Sequence, residues 1–364
     1  MTSVLARPEF EYGNTRLRAR RLTRLSAAQL VELGGRDIDA LQGALAATAF
    51  GVEVKSALAR GGGTRRLHDA VRAHQARELE ELRGFYEDRA RELVDLLLAG
   101  FDGHNLLVLL RGILRRADEE QVLRDIVPAG VFSGALAREI VRQREPAAAI
   151  ALLVGWHLPD PVTARTVARA FEVYERDADL ARLDETVTAV HTERVASELA
   201  RFGDEAGDLR AALTRRVDDA NVVVLLRLRA APAGRDIEGL PAAAPWLPGG
   251  AISVAELERA LRQAGAADTA AVLRAAASRL REPLESWARD GDAAAAQRVL
   301  DRDRLLDEIA LYHRGDPMGI AVPIAYSAEL ELEARNVRVL IEGAASGLTA
   351  SELQGQLVLA GTRR

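Results

Sequence analysis

One phrase constrains this chain more than any other because it is written four times. Residues 102–111 read DGHNLLVLLR and residues 218–227 read DDANVVVLLR; looser copies are EYGNTRLRAR at 11–20 and EARNVRVLIE at 333–342. The aligned residues Asn14, Asn105, Asn221 and Asn336 are the only asparagines present, the last three standing 116 and 115 residues apart. Three positions before each lies an acid: Glu11, Asp102, Asp218 and Glu333. Three after each lies an aliphatic: Leu17, Val108, Val224 and Val339. With 54 acids in 364 residues, four acids would fall at that spacing by chance about once in two thousand trials, which favours an internal repeat.

The phrase itself is helical. Apolar residues fall one, four and five positions after Asn105, Asn221 and Asn336, placing a stripe on one helical face. Ala, Leu, Arg and Glu, all strong helix formers, dominate elsewhere. No alternation of strands and helices appears, which argues against a dinucleotide-type sheet. The spacing predicts long charged helices over 68–98 and 182–202, and a third region, 304–336, broken at Pro317, Gly319 and Pro323. Capping boxes are expected at Ser26-Ala-Ala-Gln29, Ser253-Val-Ala-Glu256 and Thr349-Ala-Ser-Glu352. Ser133 departs from that pattern, with Leu136 at the box position. The loops VPAGVFS (127–133) and LPGGAIS (247–253) share a Pro two residues before a Gly and should match. The chain divides into units at 12–104, 105–220 and 221–335, with a tail, 336–364, restarting the pattern. The units exceed the 20–50-residue solenoid period, so packed helical domains are expected. Segments 61–64 and 231–246 are insertions of no assigned role.

An acid and an amide three apart share a helical face. Alternatively Asp102 or Asp218 is an N-cap. In either case the amide can satisfy backbone groups at a helix junction; a fourfold polar contact to a ligand is the functional alternative.

Little else suggests chemistry. The absence of Cys rules out disulfides and thiolate sites. The six histidines do not make a zinc-helix motif, Gly61-Gly62-Gly63-Thr64 lacks the lysine of a phosphate loop, and Ser133 in GVFSG is not a nucleophile elbow. Asp218-Asp219 does not complete a DDxxD metal motif. A net charge of −5 and 4% aromatics do not suit nucleic-acid binding. No catalytic residue, cofactor, metal or small-molecule substrate is expected. The apolar run at 147–156 is too short for a bilayer, which needs about 20 residues, and the N-terminus does not resemble a signal peptide. Arg16, Arg18, Arg20 and Arg21, with Arg24, form a basic cluster. It is either a surface for an acidic partner or lipid headgroups, or a plain solvated face.

Taken in order, FEYGNTRLRARRLTRLS (10–26), HNLLVLLRGIL, ANVVVLLRLR, LPGGAISVAELERAL and DPMGIAVPIAYSAELELEARNVRVLIEG (316–343) resemble the C subunit of A/V-type rotary ATPases, the d subunit of eukaryotes. Glu342 departs from it, standing where the other copies carry arginine. The resemblance implies an all-α fold of three similar helical-bundle domains, arranged as a funnel with pseudo-threefold symmetry. It implies a non-catalytic rotor subunit on the cytoplasmic face of the membrane, peripheral, joining central-stalk subunits D and F to the proteolipid ring. The alternatives are a helical scaffold or adaptor unrelated to rotary motors and an all-helical enzyme with an unrecognised pocket.

Overall fold

A computed structural model describes residues 9–143, 145–230 and 246–359. Among these, helices joined by short turns make up the regular structure, and no strand occurs. In chain order they are α1 (Glu11–Arg21), α2 (Ala27–Leu33), α3 (Ile38–Leu45), α4 (Gly51–Ala59), α5 (Thr64–Gly84), α6 (Asp88–Leu114), α7 (Glu119–Asp125), α8 (Gly134–Val141) and α9 (Pro146–Gly155). There follow α10 (Pro161–Asp177), α11 (Leu180–Ala200), α12 (Gly207–Ala230), α13 (Val254–Leu261), α14 (Ala266–Ala276), α15 (Arg281–Asp290), α16 (Ala293–Ile309), α17 (Leu311–Arg314), α18 (Ala321–Ser346) and α19 (Ala350–Gln354).

The chain forms two compact units, one holding residues up to Ala168 and from Glu308 onward, the other Arg169–Asp307. In the first, a core is built from both ends of the chain. Leu30 and Leu33 of α2, Leu41 and Leu45 of α3, Phe50 and Val54 of α4 and Leu67 of α5 meet Val337, Leu340 and Ile341 of α18 and Leu353 of α19. In the second, Val222, Leu225 and Leu226 of α12 meet Leu257 of α13, Leu273 of α14, Leu284 and Trp287 of α15 and Leu300 of α16. The internal recipe is the same in both: one Asn-bearing helix, a capped short helix, then three more. In the first unit α2 to α5 precede the Asn helix α18 in sequence, and α19 follows it.

Local sequence explains several helix starts. Ser26, Ser253 and Thr349 close complete capping boxes with Gln29, Glu256 and Glu352. Ser133 caps Leu136 N–H without a reciprocal bond, as its apolar box position dictates. Three expectations change. The run 68–98 is two helices, broken between Gly84 and Asp88, where Asp88 adopts φ 45°. Pro323 does not break a helix but sits in the first turn of α18, where no intrahelical donor is lost. Asp102 and Asp218 are not N-caps; they lie inside α6 and α12. The glycines at 61–63 all have positive φ and form the turn into α5, with Gly63 N–H donating to Gln42 Oε1 at 3.4 Å. Most of the 231–246 insertion, residues 231–245, lies outside the described residues.

Helix α6 is long and apolar enough by length and hydropathy to cross a membrane. Leu93, Leu97, Leu106, Leu109 and Leu110 are nevertheless buried within the protein. Its Asp102 is buried too, with a backbone partner described below, so α6 acts here as a core helix.

Candidate functional site: the asparagine junctions and the arginine-rich first helix

The repeated asparagines are buried, each 2% exposed or less. Three of them make the same pair of bonds. Asn105 Nδ2 donates to Val127 O at 2.7 Å while Val127 N–H donates to its Oδ1 at 2.9 Å. Asn221 treats Leu247 identically, at 3.0 and 2.8 Å, and Asn336 treats Val358 so, at 2.8 and 3.0 Å. Each amide thus satisfies both backbone groups of one loop residue, as a neighbouring strand would. Asparagine suits the role because its side chain carries donor and acceptor at peptide spacing. Val127 and Leu247 directly precede the prolines of the two matched loops.

The acids one turn earlier hold the same loops further along. Asp102 Oδ1 accepts Val131 N–H at 2.8 Å and Asp218 Oδ1 accepts Ile252 N–H at 2.9 Å. Here the glycines matter: a Cβ on Gly130 would lie 2.3 Å from Asp102 Oδ1, and one on Gly250 2.5 Å from Asp218 Oδ1. Only glycine lets the loop close onto the carboxylate. Glu333 Oε1 accepts Leu25 N–H at 2.8 Å. Leu25 and Ile252 directly precede a cap serine, whereas Val131 stands two residues before Ser133. On α18, therefore, the two tasks divide between the chain ends: Glu333 holds the N-terminal cap segment and Asn336 the C-terminal tail.

Asn14 differs. Its Nδ2 donates to Pro317 O and Gly319 O, at 2.9 and 3.0 Å, and its Oδ1 accepts the Tyr86 hydroxyl at 2.7 Å. Burial pushes the Tyr86 pKa up. Glu11 is exposed in the first turn of α1. The amide at 14 still ties a helix to a loop, but the loop precedes α18 and Pro removes the donor that would complete the pair at 317.

The arginine cluster is mostly engaged internally. Arg20 binds both oxygens of Glu78 at 3.0 Å and also Glu81. Arg21 Nε donates to Glu329 at 3.0 Å, and its guanidinium stands 4.3 Å from the Tyr312 ring centroid. Arg24, whose side chain is 6% exposed, lies between Glu333 (2.7 Å), Glu78 (3.0 Å) and the Tyr326 hydroxyl (2.5 Å). Burial alone would lower its pKa, but Glu333 and Glu78 outweigh burial and hold it raised. Burial would likewise raise Glu78; the Tyr326 hydroxyl, Arg24 and Arg20 overcome it and keep the pKa low. Arg16 and Arg18 remain exposed on α1. Arg16 stands 5.4 Å from the Phe85 ring centroid, and Arg18 Nη2 reaches Tyr312 O at 3.5 Å. Tyr12 and Leu22, at the two ends of this helix, are 67% and 87% exposed. Leu17 is buried, whereas Leu22 points to solvent.

A second buried ionic group lies on α12. Asp219 pairs with Arg279 and Asp218 with the same guanidinium at 3.4 Å. Burial raises the Asp219 pKa against the pull of Arg279 and Arg215. Sequence reasoning missed these acid–arginine clusters, because ion pairs across 54 to 309 residues leave no local spacing. Among the described residues no group of three His, Cys, Asp or Glu side chains could hold a metal ion.

Together these features define a class: an all-helical repeat protein whose long helices clamp the loops beside them through one recurring acid–amide pair. Its particular family follows from comparison with known proteins. The family described as ATP synthase (C/AC39) subunit matches residues 13–356, and the chain belongs to it. The C subunit of the A-type ATP synthase of Haloferax volcanii is 25% identical over 358 residues, 96% of this chain and 97% of its own. The C subunit of the V-type ATP synthase of Thermus thermophilus is 29% identical over 358 residues, 96% and 98% of the two chains. That of Deinococcus radiodurans is 24% identical over 353 residues, 96% and 91%.

Proposed function

We propose that this chain is a non-catalytic central-rotor subunit of an A/V-type ATP synthase. It would be a socket that joins the central stalk, subunits D and F, to the membrane proteolipid ring and passes torque between them. The observation carrying this reading is the family match through 13–356, with relatives named as the C subunit aligned over nearly their whole length. On this reading three bundles, drawn from 12–104, 105–220 and 221–335 with α18 closing the first, form a funnel of pseudo-threefold symmetry. The tail 336–364 restarts the pattern as part of that closure. The protein would sit peripherally on the cytoplasmic face of the membrane. A torque-bearing part needs stiffness, and loops held at both backbone groups by buried amides supply it.

The outer face of α1 is the assigned partner surface. Tyr12, Thr15, Ala19 and Leu22 recur at helical spacing along one stripe, all exposed and flanked by Arg16 and Arg18. An apolar stripe beside two exposed cations fits an acidic, amphipathic partner helix. Arg20 and Arg21 would act there indirectly, by fixing α1 to Glu78, Glu81 and Glu329.

Affinity purification of the tagged chain from detergent-solubilised membranes tests the proposal. Recovery of stalk and ring subunits is expected. Recovery of other proteins with neither of these would favour the unrelated-adaptor reading. The double variant R16E/R18E should lose recovery of one partner with an unchanged melting midpoint; full recovery would remove α1 from the interface.

A further inference from the structure

His74 on α5 is 1% exposed, and its ring packs against Phe50 of α4, with centroids 4.0 Å apart and planes tilted by 31°. Arg77 Nη2 donates to its Nδ1 at 3.1 Å. An acceptor at Nδ1 requires the neutral ring to carry its proton on Nε2, and Nε2 has no hydrogen-bond partner. Glu53 Oε2 of α4 lies 3.6 Å from the same Nδ1 and is also buried without a hydrogen-bond partner. Its other oxygen, Oε1, accepts from Arg77 Nε at 2.7 Å. One nitrogen therefore has within reach both a donor it uses and a carboxylate oxygen that no hydrogen bond uses.

The charges facing the ring come from every element around it. Arg77 and Glu78 lie on α5 itself, Glu53 on α4, Glu333 on α18, and Arg24 on the segment after α1. Glu53, Glu78 and Glu333 favour a proton on the ring, while Arg24 and Arg77 oppose it and Arg20 shares Glu78. Burial keeps the His74 pKa below its ordinary value, Arg24 adding to the effect, while Glu333, Glu78 and Glu53 pull the other way.

We propose that His74 is a proton-operated latch between α4 and α5: when neutral it accepts from Arg77, and when protonated the same Nδ1 donates to Glu53 Oε2. The exchange replaces a bond from a guanidinium to a neutral ring with one between an imidazolium and a carboxylate, and closes 3.6 Å to about 2.8 Å. Arg77 keeps Glu53 Oε1, Glu78 and Glu81, so the helices stay joined while the contact changes hands.

Nitrogen-15 NMR of the full chain, labelled at the histidine rings, tests the latch. The His74 signal is assigned through its contact with the Phe50 ring and confirmed by its loss in H74Q. At about pH 7.5 the Nε2–H tautomer is expected, converting to imidazolium with a midpoint below about 6.5. E53Q should move that midpoint to lower pH and R77Q to higher pH. An Nδ1–H tautomer in the wild type, a ring still neutral when the protein unfolds in acid, or midpoints moved in one direction by both variants would each overturn the proposal. The tautomer is read on the unaltered protein, so the test survives a variant that does not fold.

Discussion

At the scale of single residues, the recurring asparagine acts as a detachable piece of backbone. Its amide pairs with one residue of a loop that has no strand beside it. Replacing Asn221 with Leu leaves Leu247 N–H and C=O unmatched, and should lower stability by about 1–3 kcal/mol, read as a fall in the urea midpoint. Asn105→Leu and Asn336→Leu should cost similar amounts, since their bonds match in kind and length. The glycine facing the acid is equally exacting. Gly250→Ala puts a Cβ 2.5 Å from Asp218 Oδ1, and the shift needed breaks the bond to Ile252; a loss of about 1–3 kcal/mol is expected from such overpacking. An unchanged midpoint in either series would mean that the loops are held elsewhere.

Two buried groups give the stability a pH dependence of one sign. The folded pKa of His74 is lowered, chiefly by burial. Between that value and the unfolded value of about 6.5 the unfolded chain binds a proton the folded chain does not. Its contribution is therefore complete above about 6.5 and is lost as pH falls. The folded pKa of Glu78 is also lowered, because Tyr326, Arg24 and Arg20 overcome its burial. Its contribution is present above the usual carboxylate range and disappears as pH falls through the folded value. The urea midpoint should thus be flat above neutrality and decline below it in two stages. H74Q should flatten the upper stage and leave the lower one, which a pH series on both proteins will show.

At the scale of elements, α18 is where the chain closes on itself. It buries Val337, Leu340 and Ile341 against helices that begin some three hundred residues earlier. It also receives Leu353 of α19 so closely that a Cβ on Gly343 would lie 2.4 Å from that side chain. Leu353→Ala should cost about 2–5 kcal/mol, and the loss should spread to α2 and α3 despite their distance in sequence. Hydrogen exchange checks this: faster exchange is expected in α2, α3 and α18, with the α12–α16 core unaltered. Faster exchange confined to α19 would show that the two chain ends do not share one core.

At the scale of the whole molecule, the sequence carried the all-helical class and the family. These rest on short-range spacing: an acid, an amide and an aliphatic three apart, a hydroxyl and an acid framing a helix start, a proline two before a glycine. Helix boundaries inside charged runs were less legible. The break at 85–87 depends on Asp88 adopting a positive φ, which no periodicity announces. The arginine cluster was visible as charge, yet its use was hidden, because Glu78, Glu81, Glu329 and Glu333 reach it from other helices. At this scale assembly is the measurement that counts, through the exposed pair Arg16 and Arg18.

By itself the sequence determined the all-helical class, the capped starts of α2, α13 and α19, and the aligned asparagines as polar groups at helix junctions. Tertiary structure alone decided what those side chains hold. The partner of Asn336 comes from the tail, that of Glu333 from the N-terminal segment, and that of Asn14 from a loop before α18. The physical reason is range. Helical propensity and capping act over one to four neighbouring residues, so they are written locally. A hydrogen bond to a distant backbone depends on where the packed cores bring that backbone, and packing is settled by the chain as a whole.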